Sequence, residues 1–155
     1  MKRKLFSSFV LTVAIITALC GIANAQSRGE SEVFDLVNRE RSRARLGMLE
    51  WDDRLAQVAR DYSRRMAREG FFDHYDPNGK TVIDRASHLR NWSTIGENLF
   101  VCDPHPYFAT TAVRGWTKSP THRGNMLDRN WTATGIGIAS ARDGSIFITQ
   151  VFTRE

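Results

Sequence analysis

Apolar residues recur with a helical stride through the first half of the chain and with the alternation of strands at its end. Within DRLAQVARDYSRRMAREG, Leu55, Val58, Ala59, Tyr62 and Met66 fall at i, i+3, i+4, i+7 and i+11, a stripe along one face of a helix. Asp52 or Asp53 supplies its N-cap and Gly70 its left-handed exit residue. An earlier helix is expected over 31–46, where Val33, Phe34, Val37 and Ala44 keep near-helical spacing between a Ser31 cap and Gly47. A short helix is expected over 81–89. Another is expected over 107–118, carried by Phe108, Ala112, Val113 and Trp116. The stretch IGENLFV, 95–101, has β-branched and aromatic residues but also Gly96, so a strand and a bulged connection both fit. ATGIGIAS and SIFITQVF, joined through Arg142, Asp143 and Gly144, predict a β-hairpin. Helices first and strands last predict an α+β domain with an antiparallel sheet.

The N-terminus changes the reading of the charge. Lys2, Arg3 and Lys4 precede an apolar run from Leu5 to Leu19, and Ala23, Asn24 and Ala25 form a small-x-small cleavage pattern. Residues 1–25 are therefore expected to be a cleaved signal peptide, the run being shorter than the ~20 apolar residues of a membrane span. Leu19 stands before Cys20, where a lipoprotein signal would carry a small residue. Cleavage removes three of the 22 basic residues and none of the 17 acidic ones, so the formal net charge falls from +5 to +2. No concentrated Lys/Arg face is left, which argues against nucleic acid as a partner. Residues 26–155 have the length of one domain with one core. They carry a single cysteine, Cys102, so no intramolecular disulfide is available even in an oxidising compartment.

Candidate chemistry centres on SPTHRGN, 119–125. Ser119 followed by Pro120 has the form of an N-cap with proline at the first helical position. The Ser119 hydroxyl is then expected to accept a backbone amide near residue 121 or 122, a role that competes with nucleophilic use. His122 falls in the first turn, where the helix dipole disfavours imidazolium. A neutral ring there can ligate a metal or accept a proton, and a purely packed histidine is the other reading. Cys102, Asp103 and His105 suggest a thiol site or a metal half-site, but Pro104 and Pro106 favour a bent loop leading into a helix. Neither a His-Glu-x-x-His nor a Cys-x-x-Cys motif occurs in 26–155.

Several segments taken in order carry a resemblance: VNRERSRARLGMLEWDDRLAQVARDYSRRMAREGFFDH, GENL, AVRGWTKSPTHRGNML, TGIGIA and ITQVF. Over about residues 33–152 the chain is similar to the bacterial branch of the CAP superfamily (cysteine-rich secretory proteins, antigen 5 and pathogenesis-related 1 proteins). The resemblance implies an α-β-α sandwich with a central antiparallel sheet between helical layers. It also implies a cleft holding two histidines and two glutamates. His74 of FFDH, Glu97 of GENL and His122 of SPTHR match three of these, while Ser119 stands where the family has its second glutamate. Arg123 and Asn125 are read as scaffold, and Arg41, Trp51 and Gln150 match family positions also taken as structural.

Two neutral imidazoles and one carboxylate suit zinc or another divalent metal with an open position. With the second acid missing, the expectation is a secreted or periplasmic binding protein without turnover. Its partner would be an extracytoplasmic ligand or envelope component. The alternative is a metal-dependent hydrolase, peptidase-like, using His74, Glu97 and His122, with Glu97 and His122 as its catalytic pair.

Overall fold

A computed structural model describes residues 28–154 of the 155; the expected signal peptide, 1–25, lies outside the described residues. Among the described residues the helices are α1 (28–43), α2 (Asp53–Glu69), α3 (Val82–Arg85), α4 (Phe108–Lys118) and α5 (Pro120–Met126). The strands are β1 (Glu50–Trp51), β2 (Thr94–Cys102), β3 (Ala133–Ser140) and β4 (Ile146–Arg154). Spatial order in the sheet is β1-β3-β4-β2.

The hairpin β3–β4 forms the centre of the sheet and is buried along nearly its whole length. Near-continuous burial arises when both faces of a strand are covered. On one face Ile136, Ile138, Ile148 and Phe152 pack with Val33 and Val37 of α1, Ala112 and Trp116 of α4 and Met126 of α5. On the other, Ala133 and Val151 pack with Leu55, Val58 and Ala59 of α2. Thr149 joins Ser63 of α2 through a 2.8 Å hydroxyl contact. This is the expected α-β-α sandwich. The small residues in TGIGIA explain how close the α2 layer comes: a Cβ on Gly135 or Gly137 would lie 2.0 Å from the backbone nitrogen of Ala56 or Arg60.

The α2 stripe behaves as its spacing predicts, with Leu55, Val58, Ala59, Tyr62 and Met66 all buried. Asp52 is the N-cap, accepting from the amides of Arg54 and Leu55, and Gly70 exits at φ 71°. Helix α1 departs from expectation. It is already helical at 28, so Ser31 lies inside it rather than capping it. The reason is tertiary: buried Glu30 takes a two-pronged salt bridge from Arg60 of α2, fixing the chain upstream of Ser31.

The open reading of 95–101 resolves as a regular strand, paired residue for residue with β4 from Thr94↔Arg154 to Cys102↔Ile146. Gly96 is not a bulge. Its missing side chain makes room for the Trp131 ring, 2.9 Å from where a Cβ would stand. The sheet is antiparallel except at β1, whose two residues run parallel to β3. Nothing in the hydrophobic pattern marks β1; it is held by Asn38, whose side-chain amide both donates to Leu49 O and accepts from Leu49 N. The expected 81–89 helix contracts to one turn, Val82–Arg85. For the site, the important consequence is that β2 is an edge strand, reachable from both helical layers.

Candidate functional site

Glu97 sits in the middle of β2 and is buried. A carboxylate in an apolar strand needs partners to offset lost hydration, and both its oxygens have them. Oε1 lies 2.8 Å from Nδ1 of His74, and Oε2 accepts from Nη2 of Arg85 at 2.5 Å. The Arg85 guanidinium lies over the Tyr62 ring, 3.3 Å from ring centre to Cζ. Burial pushes the Tyr62 phenol up to about 12, so it stays protonated and donates to Asp73 O at 2.6 Å.

His74 itself projects from the loop between α2 and α3, and that loop is anchored at several points. Besides the Tyr62 bond to Asp73, Arg65 of α2 pairs with buried Asp76. Asp76 Oδ1 in turn accepts from the amides of Asn78 and Lys80, an Asx-type turn that closes the Asp76–Gly79 segment. The His74 ring is half exposed. Its pKa is raised above the ordinary histidine value, first by the hydrogen bond its Nδ1–H donates to Glu97, against a smaller opposing effect of burial.

His122 comes from the opposite layer, on α5. Pro120 is the first helical residue and Ser119 the N-cap, as the sequence predicts. The Ser119 hydroxyl, however, makes no bond to a helix amide. It lies 2.9 Å from Nδ1 of His122, so the expected capping bond is replaced by a contact that orients the ring. The His122 pKa is lowered, first by burial and then by the nearby charge of His74. Asn98 fastens α5 to β2 by donating to His122 O at 3.0 Å. Asn125 donates to Glu97 O and Asn98 Oδ1 at 3.1 Å each.

His74 and Glu97 are thus in direct contact, and His122 stands near them without bonding to either. Among the described residues, no group of three or more His, Cys, Asp or Glu side chains is arranged to hold a metal ion. Neither Nε2 has a hydrogen-bond partner among those residues. A surface concavity of about 650 Å³, lined in part by Phe71, Phe72, Val101 and Phe147, includes none of the three site residues.

The remaining candidates fall to structural roles. Arg41 donates to Gly47 O, Met126 O and Asp128 O. Gln150 is buried in the sheet against Thr134. Trp51 bonds Asp53 and stands edge-on to Phe34. His105 Nδ1 accepts from the Tyr107 amide, and burial raises the Cys102 thiol pKa, which disfavours a reactive thiolate. Arg85 is the residue that sequence reasoning missed. A buried Glu97 signals that some cation must meet it, but the chain is rich in arginines and nothing local distinguishes this one.

Residues 34–152 match the family described as the cysteine-rich secretory protein family, CAP. The chain is 32% identical over 122 residues to the uncharacterised protein YkwD of Bacillus subtilis strain 168, covering 78% of this chain and 46% of that protein. It is 33% identical, with a TM-score of 0.72, to an extracellular protein containing an SCP domain from Bacillus anthracis, covering 84% of this chain and 41% of that one. The chain therefore spans less than half the length of both of these relatives. An outer surface protein of Borrelia burgdorferi shares the fold, with a TM-score of 0.75 at 19% identity over 83% of this chain and 93% of that one.

Proposed function

The chain belongs to the cysteine-rich secretory protein (CAP) family, and from that premise we propose an extracytoplasmic binding module whose His74–His122 cleft holds a divalent metal or a small envelope-associated ligand without turning it over. Export would be directed by residues 1–25. No helix among the described residues is long and apolar enough to cross a membrane.

The observation that carries the reading is the tethering of both Nδ1 atoms, His74 to Glu97 and His122 to Ser119. A histidine fixed through one ring nitrogen presents the other in a set direction, and a carboxylate behind the ring makes it a stronger donor. Two imidazole nitrogens suit zinc, copper or nickel. Of the three ligands expected from sequence, His74, Glu97 and His122, this reading uses the two rings as donors. With its oxygens engaged by His74 and Arg85, Glu97 in this reading supports His74 from behind. Two protein ligands leave several coordination positions for water or for a donor atom of a ligand. A bound metal would supply Lewis acidity there; the chain itself orients the rings and holds Glu97.

The same engagement counts against the hydrolase alternative. General-base catalysis needs a carboxylate oxygen free to take a proton from water, and Ser119 replaces the other acid. The test is metal content and affinity of the purified protein, by elemental analysis and calorimetry, for the native chain, His74→Ala and His122→Ala. Loss of stoichiometric metal in both variants supports the shared cleft, and unchanged content in either overturns it. Histidine-dependent turnover of peptide, ester or envelope-polymer substrates would overturn the non-catalytic part.

A further inference from the structure

The cations of α2 and α4 are matched in different ways. Every cation of α2 meets an acid: Arg54 pairs with Asp52, Arg60 with Glu30, Arg64 with Asp61, Arg65 with Glu69 and Asp76, and Arg68 with Glu69. Helix α4 carries Arg114 and Lys118 and no acid. Both residues are exposed, and neither forms an ion pair or a side-chain hydrogen bond among the described residues. At i and i+4 they share one face of the helix, with Cβ atoms about 5–6 Å apart. Their charge is open to a partner from outside the chain.

The same two residues edge a groove of about 320 Å³ between α4 and α1. Its apolar lining is buried Val113 with half-buried Leu36. The Thr117 hydroxyl is turned back to its own helix, donating to Val113 O at 2.8 Å. Across the groove Glu40 and Arg43 of α1 pair with each other, so they cancel and the groove keeps the positive charge of α4.

We propose that this groove docks an acidic peptide segment of a partner protein, its carboxylates on Arg114 and Lys118 and an aliphatic side chain against Leu36 and Val113. Two cations one helical turn apart match two negative charges, and the apolar lining matches a side chain between them. A short backbone with acidic and aliphatic residues supplies both. A polyphosphate chain has no apolar group for the lining, and nucleic acid needs many more phosphate-neutralising cations in one place. A flat anionic bilayer does not enter a groove between two helices. The groove shares no lining residue with the His74–His122 cleft, so the proposal stands whether or not that cleft holds a metal.

The test is fluorescence anisotropy of a labelled synthetic peptide of glutamate and leucine residues, titrated with the purified protein at low and high salt. Saturable binding is expected, weaker at high salt because exposed charges are screened. Exchanging the peptide's glutamates for glutamine, or its leucines for serine, should each weaken binding about tenfold. The double variant Arg114→Gln with Lys118→Gln should do the same at an unchanged melting temperature, since neither side chain has a partner to lose. Arg129→Gln, at an exposed cation outside the groove, should leave the affinity as it is. The proposal is overturned by absence of saturable binding, by full affinity in the double variant, by equal affinity for the serine-exchanged peptide, or by equal affinity for polyphosphate or phosphatidylglycerol vesicles.

Discussion

Glu97 Oε1 lies 2.8 Å from His74 Nδ1, across 23 residues of chain. The contact drives the His74 pKa up, while burial and the charge of His74 drive the His122 pKa down. Titration of the ring protons by NMR should therefore give a His74 midpoint above the ordinary histidine value of about 6.5 and a His122 midpoint below it. Glu97→Gln should bring the His74 midpoint down, and equal midpoints in the native protein would refute the arrangement.

The two histidines also act on stability with opposite signs. His74 has a raised folded pKa, so its contribution is complete below its unfolded pKa and fades as pH rises through the folded one. His74→Ala should thus cost more stability at about pH 5 than at about pH 9, an effect reduced by solvent screening because the ring is half exposed. His122 has a lowered folded pKa, so stability is lost as pH falls from the unfolded value toward the folded one. His122→Gln should remove that acid sensitivity, read from urea midpoints across the window.

Removing Arg85 leaves Glu97 buried with a half-exposed histidine as its only remaining side-chain partner. Breaking a buried ion pair from one side costs about 3–5 kcal/mol, so Arg85→Gln should lower the unfolding free energy by roughly 3 kcal/mol. A double variant with Glu97→Gln should recover part of the loss, because no charge is then left unmatched. A cost for Arg85→Gln no larger than that of an exposed arginine such as Arg123 would show that the pair does not hold Glu97 in place.

Ser119 bonds a ring rather than a helix amide. Ser119→Ala should accordingly cost less stability than the ~1 kcal/mol typical of a lost capping bond. It should also loosen the His122 ring and weaken metal affinity by about tenfold, the lower range for lost orienting contacts. Calorimetric affinity alongside a thermal melt separates the two effects. A large drop in melting temperature with unchanged affinity would reverse the assignment.

The α2 layer tests the sandwich itself. Gly137→Ala drives a methyl group to 2.0 Å from the Arg60 nitrogen, and backbone on a packed helix cannot yield at small cost. That variant is expected to lose more than about 4 kcal/mol or fail to fold. Gly47→Ala meets nothing within 4 Å and should stay within about 1 kcal/mol of the native protein. Equal stability of the two variants would contradict the packing of α2 on β3.

Much of the framework was written in short-range patterns. The α2 stripe with its Asp52 and Gly70 ends, the hairpin across Arg142–Gly144, and the Ser119-Pro120 helix start all appear where local spacing and turn chemistry put them. Each depends on residues within one or two turns of each other, so the sequence alone was enough. Strand β2 was only half legible, because the reason for Gly96 is a tryptophan 35 positions away.

What only the tertiary structure decided are the pairings across long separations. Ser31 was a sound cap by local rule, yet Glu30 meeting Arg60 carries α1 past it. The resemblance implied one cleft for His74, Glu97 and His122 without saying which of them bonds which. The fold sets Glu97 behind His74, brings His122 from the other layer, and selects Arg85 as the counter-ion. The physical reason is that a buried carboxylate must find a cation, but composition specifies only that requirement. Which arginine meets it depends on β2 lying at the sheet edge with the α3 turn packed over Tyr62.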